Sequence, residues 1–138
     1  MDPFRHRFRV RYAEVDPQSV VFNSRYLEYA DLLVTEFFRA ARGRGMPDNA
    51  EFHVRRAEID YLAPIRFDEL IEGRLSILRI GRSSMDTLVT LHGADGDDLR
   101  AEMRLLTVHV DLPEGRPAPV PDAVRTALGF PERETLHG

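Results

Sequence analysis

Between Phe4 and Tyr12, apolar or aromatic side chains at Phe4, Phe8, Val10 and Tyr12, with His6 in step, alternate with Arg5, Arg7, Arg9 and Arg11. A period of two is what a strand with one buried and one solvated face requires. The arginine row reads as the solvent side of an edge strand, where cations discourage pairing with a second chain. After a turn at Asp16-Pro17 the period lengthens. Tyr26, Leu27, Tyr29, Ala30, Leu32, Leu33, Val34, Phe37 and Phe38 recur at helical spacing. Ser24 is placed to cap a helix starting near Arg25, and Gly43-Arg44-Gly45 to stop it with a left-handed residue. Glu28, Asp31, Thr35, Arg39 and Arg42 leave only a narrow polar stripe, so other structure must wrap this helix on most sides.

Beyond the helix the pattern returns to strands over Glu51–Tyr61, Glu69–Ile80, Arg82–His92 and Leu99–Asp111, with a hairpin connection at Gly93-Ala94-Asp95-Gly96-Asp97-Asp98. Short links between consecutive strands favour an antiparallel sheet, which makes the chain α+β: one strand, one long helix, four strands. A sheet of about five strands buries so apolar a helix only by curling around it. The remainder, about 113–138, carries Pro113, Pro117, Pro119 and Pro121 before a short helical segment near Val124 to Leu128, and reads as an edge or tail. No repeat or second domain is visible, so residues 1–138 are expected to form a single domain.

Composition removes several function classes. The chain has 138 residues, enough for one core, and no cysteine, which excludes disulfides, thiolate nucleophiles and cysteine-ligated metals. The first ten residues lack the apolar run of a signal peptide, and no stretch approaches the ~20 apolar residues of a membrane span, so a cytoplasmic location is expected. A net charge of −4 gives no reason to expect nucleic-acid binding. His6, His53, His92, His109 and His137 are scattered without metal-ligand spacing; they read as structural or exposed, and no metal is expected.

Four stretches then carry a family likeness. Tyr-Ala-Glu-Val-Asp-Pro-Gln-Ser-Val-Val-Phe-Asn-Ser-Arg-Tyr-Leu-Glu-Tyr, residues 12–29, sets Asp16 before a small-residue turn, a Val20-Val21-Phe22 step and Tyr26 in the first helical turn. Glu58 to Asp68 follows as strand and turn, Gly81-Arg82-Ser83-Ser84 as a second turn, and Val108-His109-Val110-Asp111 as a closing strand. In this order they resemble hotdog-fold acyl-CoA thioesterases of the 4-hydroxybenzoyl-CoA thioesterase type, from about Phe8 to Leu128. The resemblance implies a curved antiparallel sheet around one central helix, and hydrolysis of acyl-CoA to a free acid and CoA with no cofactor beyond the coenzyme A of the substrate. It also implies a homo-oligomer, dimer or tetramer, whose site forms between subunits.

By the same resemblance Asp16 is the catalytic carboxylate, as nucleophile or as general base for water, and the backbone N–H of Asn23 is the oxyanion donor. The acyl group is expected against Val20, Val21, Phe22, Tyr26 and Tyr29, with Ser83 or Thr35 and Glu36 of another subunit facing Asp16, and coenzyme A against Arg82, Ser83 and Ser84. Glu36 reads equally as solvated charge or as active-site support. Two positions depart from the commoner family pattern: Ser19 stands where a Gly precedes the Val-Val step, and Asn23 where one branch has His. The alternatives are a thioesterase for acyl-carrier-protein substrates in polyketide or fatty-acid pathways, and a non-catalytic acyl-binding or assembly module.

Overall fold

The computed structural model describes residues 2–131; His137 and the last part of the expected tail lie outside them. Strand β1 (Phe4–Arg9) leads through the loop bearing Asp16 to helix α1 (Tyr26–Arg42). Strands β2 (Phe52–Tyr61), β3 (Leu70–Ile80), β4 (Ser84–Gly93) and β5 (Leu99–Asp111) follow, then the two-residue β6 (Arg116–Pro117) and the short helix α2 (Asp122–Ala127). The five long strands form one antiparallel sheet in the order β1-β3-β4-β5-β2, with β6 paired to the end of β5. Both edges therefore come from the N-terminal half of the chain.

Alternation works as the sequence indicates. Phe4 and Phe8 of β1 point inward, to Phe37 and Tyr29 of α1, with ring centroids 5.6 and 4.6 Å apart. The arginines between them point outward, where Arg5 and Arg7 reach the Glu72 carboxylate on β3 at 2.8 and 3.1 Å. Arg74 joins them at 2.7 Å, so the cationic row also clamps the edge strand to its neighbour. Inside the curl, Tyr26, Tyr29, Ala30 and Leu33 of α1 meet Ile71, Leu75, Val89, Leu91, Met103 and Leu105 of the sheet. At Gly73 the sheet leaves room for the helix: a Cβ there would stand 2.4 Å from Leu33 Cδ2.

One local expectation is corrected. Ser24 does not cap α1, because residues 23–25 are already wound into a 3-10 turn, which moves the extended residue back to Phe22. The left-handed stop expected in the Gly43-Arg44-Gly45 cluster is present, at Gly45 with φ 98°, while Gly43 keeps helical angles. The proline-rich segment is also more than a tail as far as it is described. Val120, Val124, Ala127 and Leu128 are buried against Ala41, Met46, Ile80 and Met85 in a second apolar cluster. Arg125 from α2, fully buried, donates to the carbonyls of Ile80 and Gly81. Prolines spaced through an extended run concealed the alternation by which a packed segment is read.

Candidate active site

Asp-Pro-Gln-Ser is a turn sequence, and it sets the geometry around the acid. Pro17 presets φ for the second position of the turn, the Ser19 N–H donates to the Asp16 carbonyl at 2.9 Å, and the Asp16 N–H donates to the Val20 carbonyl at 2.9 Å. Ser19 sits at φ 63°. This is a three-residue hairpin loop that ends in a left-handed residue, the place where glycine is usual. The Gln18 N–H donates to Asp16 Oδ1 at 2.8 Å, which fixes the carboxylate orientation. Its Oδ2 has no hydrogen-bond partner among the described residues, and the residue is half-buried.

The arm after the loop is pinned along its length. Val21 donates to the Ile65 carbonyl at 2.7 Å, Phe67 to the Ser19 carbonyl at 3.2 Å and Phe22 to the Glu14 carbonyl at 3.1 Å. Glu14 itself is buried: its carboxylate accepts from the Arg11 amide at 2.8 Å and from the Tyr29 hydroxyl at 3.0 Å. Burial first, and the Glu14 carboxylate second, push the Tyr29 phenol well above its ordinary range, so it stays a donor. The loop that carries Asp16 is thus bolted to the first turn of α1.

Immediately before that turn, the Asn23 amide donates to no group among the described residues. This is the free N–H expected where a helix begins. The carbonyl side of the same residue is held, accepting from the Tyr26 amide and from the Tyr61 hydroxyl at 3.0 Å. The Tyr61 ring also meets Tyr26 edge-on, with centroids 4.8 Å apart. An oriented carboxylate and an uncommitted amide, seven positions apart on one pinned segment, are the two parts that thioester attack needs: one to deliver oxygen, one to receive the developing oxyanion. Glu14 and Tyr61 were not anticipated from the sequence. The three-residue spacing of Arg11 and Glu14, which lets the carboxylate reach back to the Arg11 amide, was the available signal for Glu14; for Tyr61 there was none.

The other expected site residues are dispersed. Val21, Tyr26 and Tyr29 belong to the core, Val20 is half-buried beside Arg66, and Phe22 is 52% exposed. Thr35 faces solvent, and half-buried Glu36 accepts from Arg39 at 2.9 Å. A cavity of about 280 Å³ instead opens between α1 and the sheet. It is lined on the helix by Leu27, Ala30, Asp31, Val34 and Phe38, and on the sheet by residues of β2, β4 and β5. Arg82, Ser83 and Ser84 form the turn between β3 and β4, braced by Val120 donating to the Arg82 carbonyl and His109 to the Ser83 carbonyl, at 2.8 and 2.7 Å. This turn lies at the far end of β3 from the Asp16 loop. Eleven residues of strand separate the two, roughly 30 Å at the usual rise.

Among the described residues no three of His, Asp and Glu come together in a way that could hold a metal ion. His92 and His109 are buried and bonded to Thr90 Oγ1 and the Ala118 carbonyl. No helix is long and apolar enough to cross a membrane.

Known proteins with this sequence pattern and architecture agree in kind. An acyl-CoA thioester hydrolase YbgC from Escherichia coli is 27% identical over 124 residues, covering 88% of this chain and 92% of that protein. The solved structure of a thioesterase complexed with coenzyme A and Zn from Thermus thermophilus superposes with a TM-score of 0.82 at 29% identity, over 94% of this chain and 99% of that one. A 1,4-dihydroxy-2-naphthoyl-CoA thioesterase from Synechocystis shares the fold, with a TM-score of 0.80 at 20% identity over 91% and 95% of the two chains. The sequence profile of the thioesterase-like superfamily matches residues 10–128, nearly the whole of the sheet, helix and loop described above, and the chain belongs to that superfamily.

Proposed function

We propose that the chain hydrolyses acyl-CoA thioesters, with the Asp16 carboxylate attacking the thioester carbon or activating water against it, and the Asn23 amide stabilising the oxyanion. The observation that carries this reading is the pairing of an oriented carboxylate with an uncommitted helix-start amide on one segment, in a chain whose relatives are acyl-CoA thioesterases. The reaction as written needs no metal or organic cofactor. Val20 and Phe22 flank the attacking group from outside, while Val21, Tyr26 and Tyr29 support it from the core.

Arg82, Ser83 and Ser84 contribute to coenzyme A binding from a second subunit. Their separation from Asp16 within one chain supports this, because ~30 Å along β3 puts the two parts beyond one another's reach. β2 supplies a route to such an assembly: it is an edge strand of ten residues, with Phe52 at the Ser84 end of the sheet and Tyr61 at the Asn23 end. Two copies paired antiparallel along this edge bring the Asp16 end of each toward the Arg82 end of the other. Tyr12 at 79% and Phe67 at 45% exposure, with ring centroids 5.6 Å apart, form an apolar surface of the kind that marks an interaction site.

Thiol release from acyl-CoA tests the chemistry. Asp16→Asn keeps the fold and lowers kcat by about 10³ or more; undiminished turnover removes Asp16 from the reaction. Mixing Asp16→Asn chains with Arg82→Ala chains tests the shared site. Mixed dimers regain turnover in one of their two sites, and a mixture no more active than its parts refutes the intersubunit arrangement.

A further inference from the structure

The side of α1 turned away from Val21, Tyr29 and Leu33 is apolar and faces β2, β4 and β5 across a gap. Leu27, Ala30, Asp31, Val34 and Phe38 lie along it at helical spacing, and with Phe52 and Val54 of β2, Met85 and Thr87 of β4, and Leu105 and Thr107 of β5 they enclose the cavity of about 280 Å³. Its position relative to the chemistry is set by the helix: Leu27 stands one turn beyond Asn23, on the same face. At the other end the Phe38 and Phe52 rings meet with centroids 5.8 Å apart, and Phe52 is backed by the His109 ring at 5.2 Å.

Size and shape narrow what fits. A cavity of ~150 Å³ accepts benzene, so this one accepts about eleven non-hydrogen atoms. From Leu27 to Phe38 the helix advances about 16 Å. Volume spread over that length gives a mean section near that of a single polymethylene chain, too narrow for a ring lying flat. Asp31, exposed at the rim, is the one charged residue in the lining, so a carboxylate on the acyl tail is disfavoured.

Resting on the hydrolase reading above, we propose that this cavity binds the acyl part of the substrate as a straight, uncharged chain of about ten carbons, entering past Leu27 and stopped by the Phe38–Phe52 pair, which sets the upper limit of chain length. The acyl group then lies between this side of α1 and strands β2, β4 and β5, whereas the Tyr26 and Tyr29 side packs into the core.

The test is kcat/KM measured by thiol release across the straight-chain series from acetyl- to palmitoyl-CoA, with melting temperature and oligomer mass recorded for each protein. The wild type peaks near decanoyl-CoA. Phe38→Ala opens the end and raises the palmitoyl-to-decanoyl ratio about tenfold, whereas Val34→Phe blocks the middle and lowers the decanoyl-to-butyryl ratio about tenfold. The pair works in opposite directions, so the loss of one variant to misfolding leaves the other decisive. A length profile unmoved in a folded variant overturns the proposal, as does a variant that changes oligomer mass and not the profile, which would assign the cavity to a side chain of a second copy. Should the wild type release no thiol from any member of the series, the hydrolase reading fails by itself. Calorimetric binding of decanoyl-CoA, weakened about tenfold by Val34→Phe if the cavity holds the chain and unchanged if it does not, then decides the assignment.

Discussion

The Tyr29 hydroxyl donates to Glu14 Oε1 at 3.0 Å, and this one bond joins the core face of α1 to the loop two residues ahead of Asp16. Tyr29 is buried, so any effect it has on the proposed reaction is expected to pass through the position of Glu14. Removing the hydroxyl leaves a buried carboxylate with one donor fewer. Tyr29→Phe is expected to cost about 1–3 kcal/mol of stability and to lower kcat more than it raises KM. Chemical denaturation and steady-state kinetics on the same preparation check both.

Ser19 holds a backbone angle that favours glycine, φ 63°. An L-residue in that region gives up ~1–2 kcal/mol, partly offset by the greater freedom glycine has in the unfolded chain. Ser19→Gly is therefore expected to raise stability by about 0.5–1 kcal/mol with turnover intact, because the turn is already the one glycine would make. A melting temperature that falls instead would show that the serine side chain contributes to holding the turn.

Glu72 supplies the pH dependence. Arg74 foremost, then Arg5 and Arg7, hold its carboxyl down at about 2, against 4.5 for the free group. The folded state therefore prefers the ionised form, and the stabilisation is complete above pH 4.5 and lost as pH falls toward 2. The stability gap between wild type and Glu72→Gln is expected to be constant near neutrality and to close over that acid window. Denaturation curves for the two proteins from pH 7 down to the acid limit measure it.

How far the sequence discloses this molecule depends on the range of the interaction concerned. β1 was visible because its alternation is local, and the Asp16 turn because Asp-Pro-Gln-Ser is turn chemistry in four letters. Ser24 misled for the same reason: a serine before a helical pattern is a local sign of a cap, whereas residues 23–25 wind into a 3-10 turn whose Asn23 carbonyl also accepts from distant Tyr61. The nine apolar positions of α1 looked like one buried cylinder. They divide between a core side, with Tyr29 and Leu33 fully enclosed, and a cavity side, with Leu27 and Val34. Periodicity reports that a side chain avoids water; it does not say whether the chain's own sheet or something else covers it. Asp16 and the Asn23 amide were singled out through family likeness, and Glu14, which holds their segment to α1, was not.

The order of strands in the sheet has a further result. β3, β4 and β5 follow one another as a meander, each paired with its immediate successor, whereas β1 pairs with β3 across some seventy positions, Phe4 against Leu75, and β2 joins β5 with Phe52 against His109. Nearby contacts close quickly and distant ones slowly. During synthesis the segment holding Asp16, Asn23 and all of α1 leaves the ribosome before the surface it must fold against exists, so the half that carries the proposed active site takes its form only once the second half has been translated.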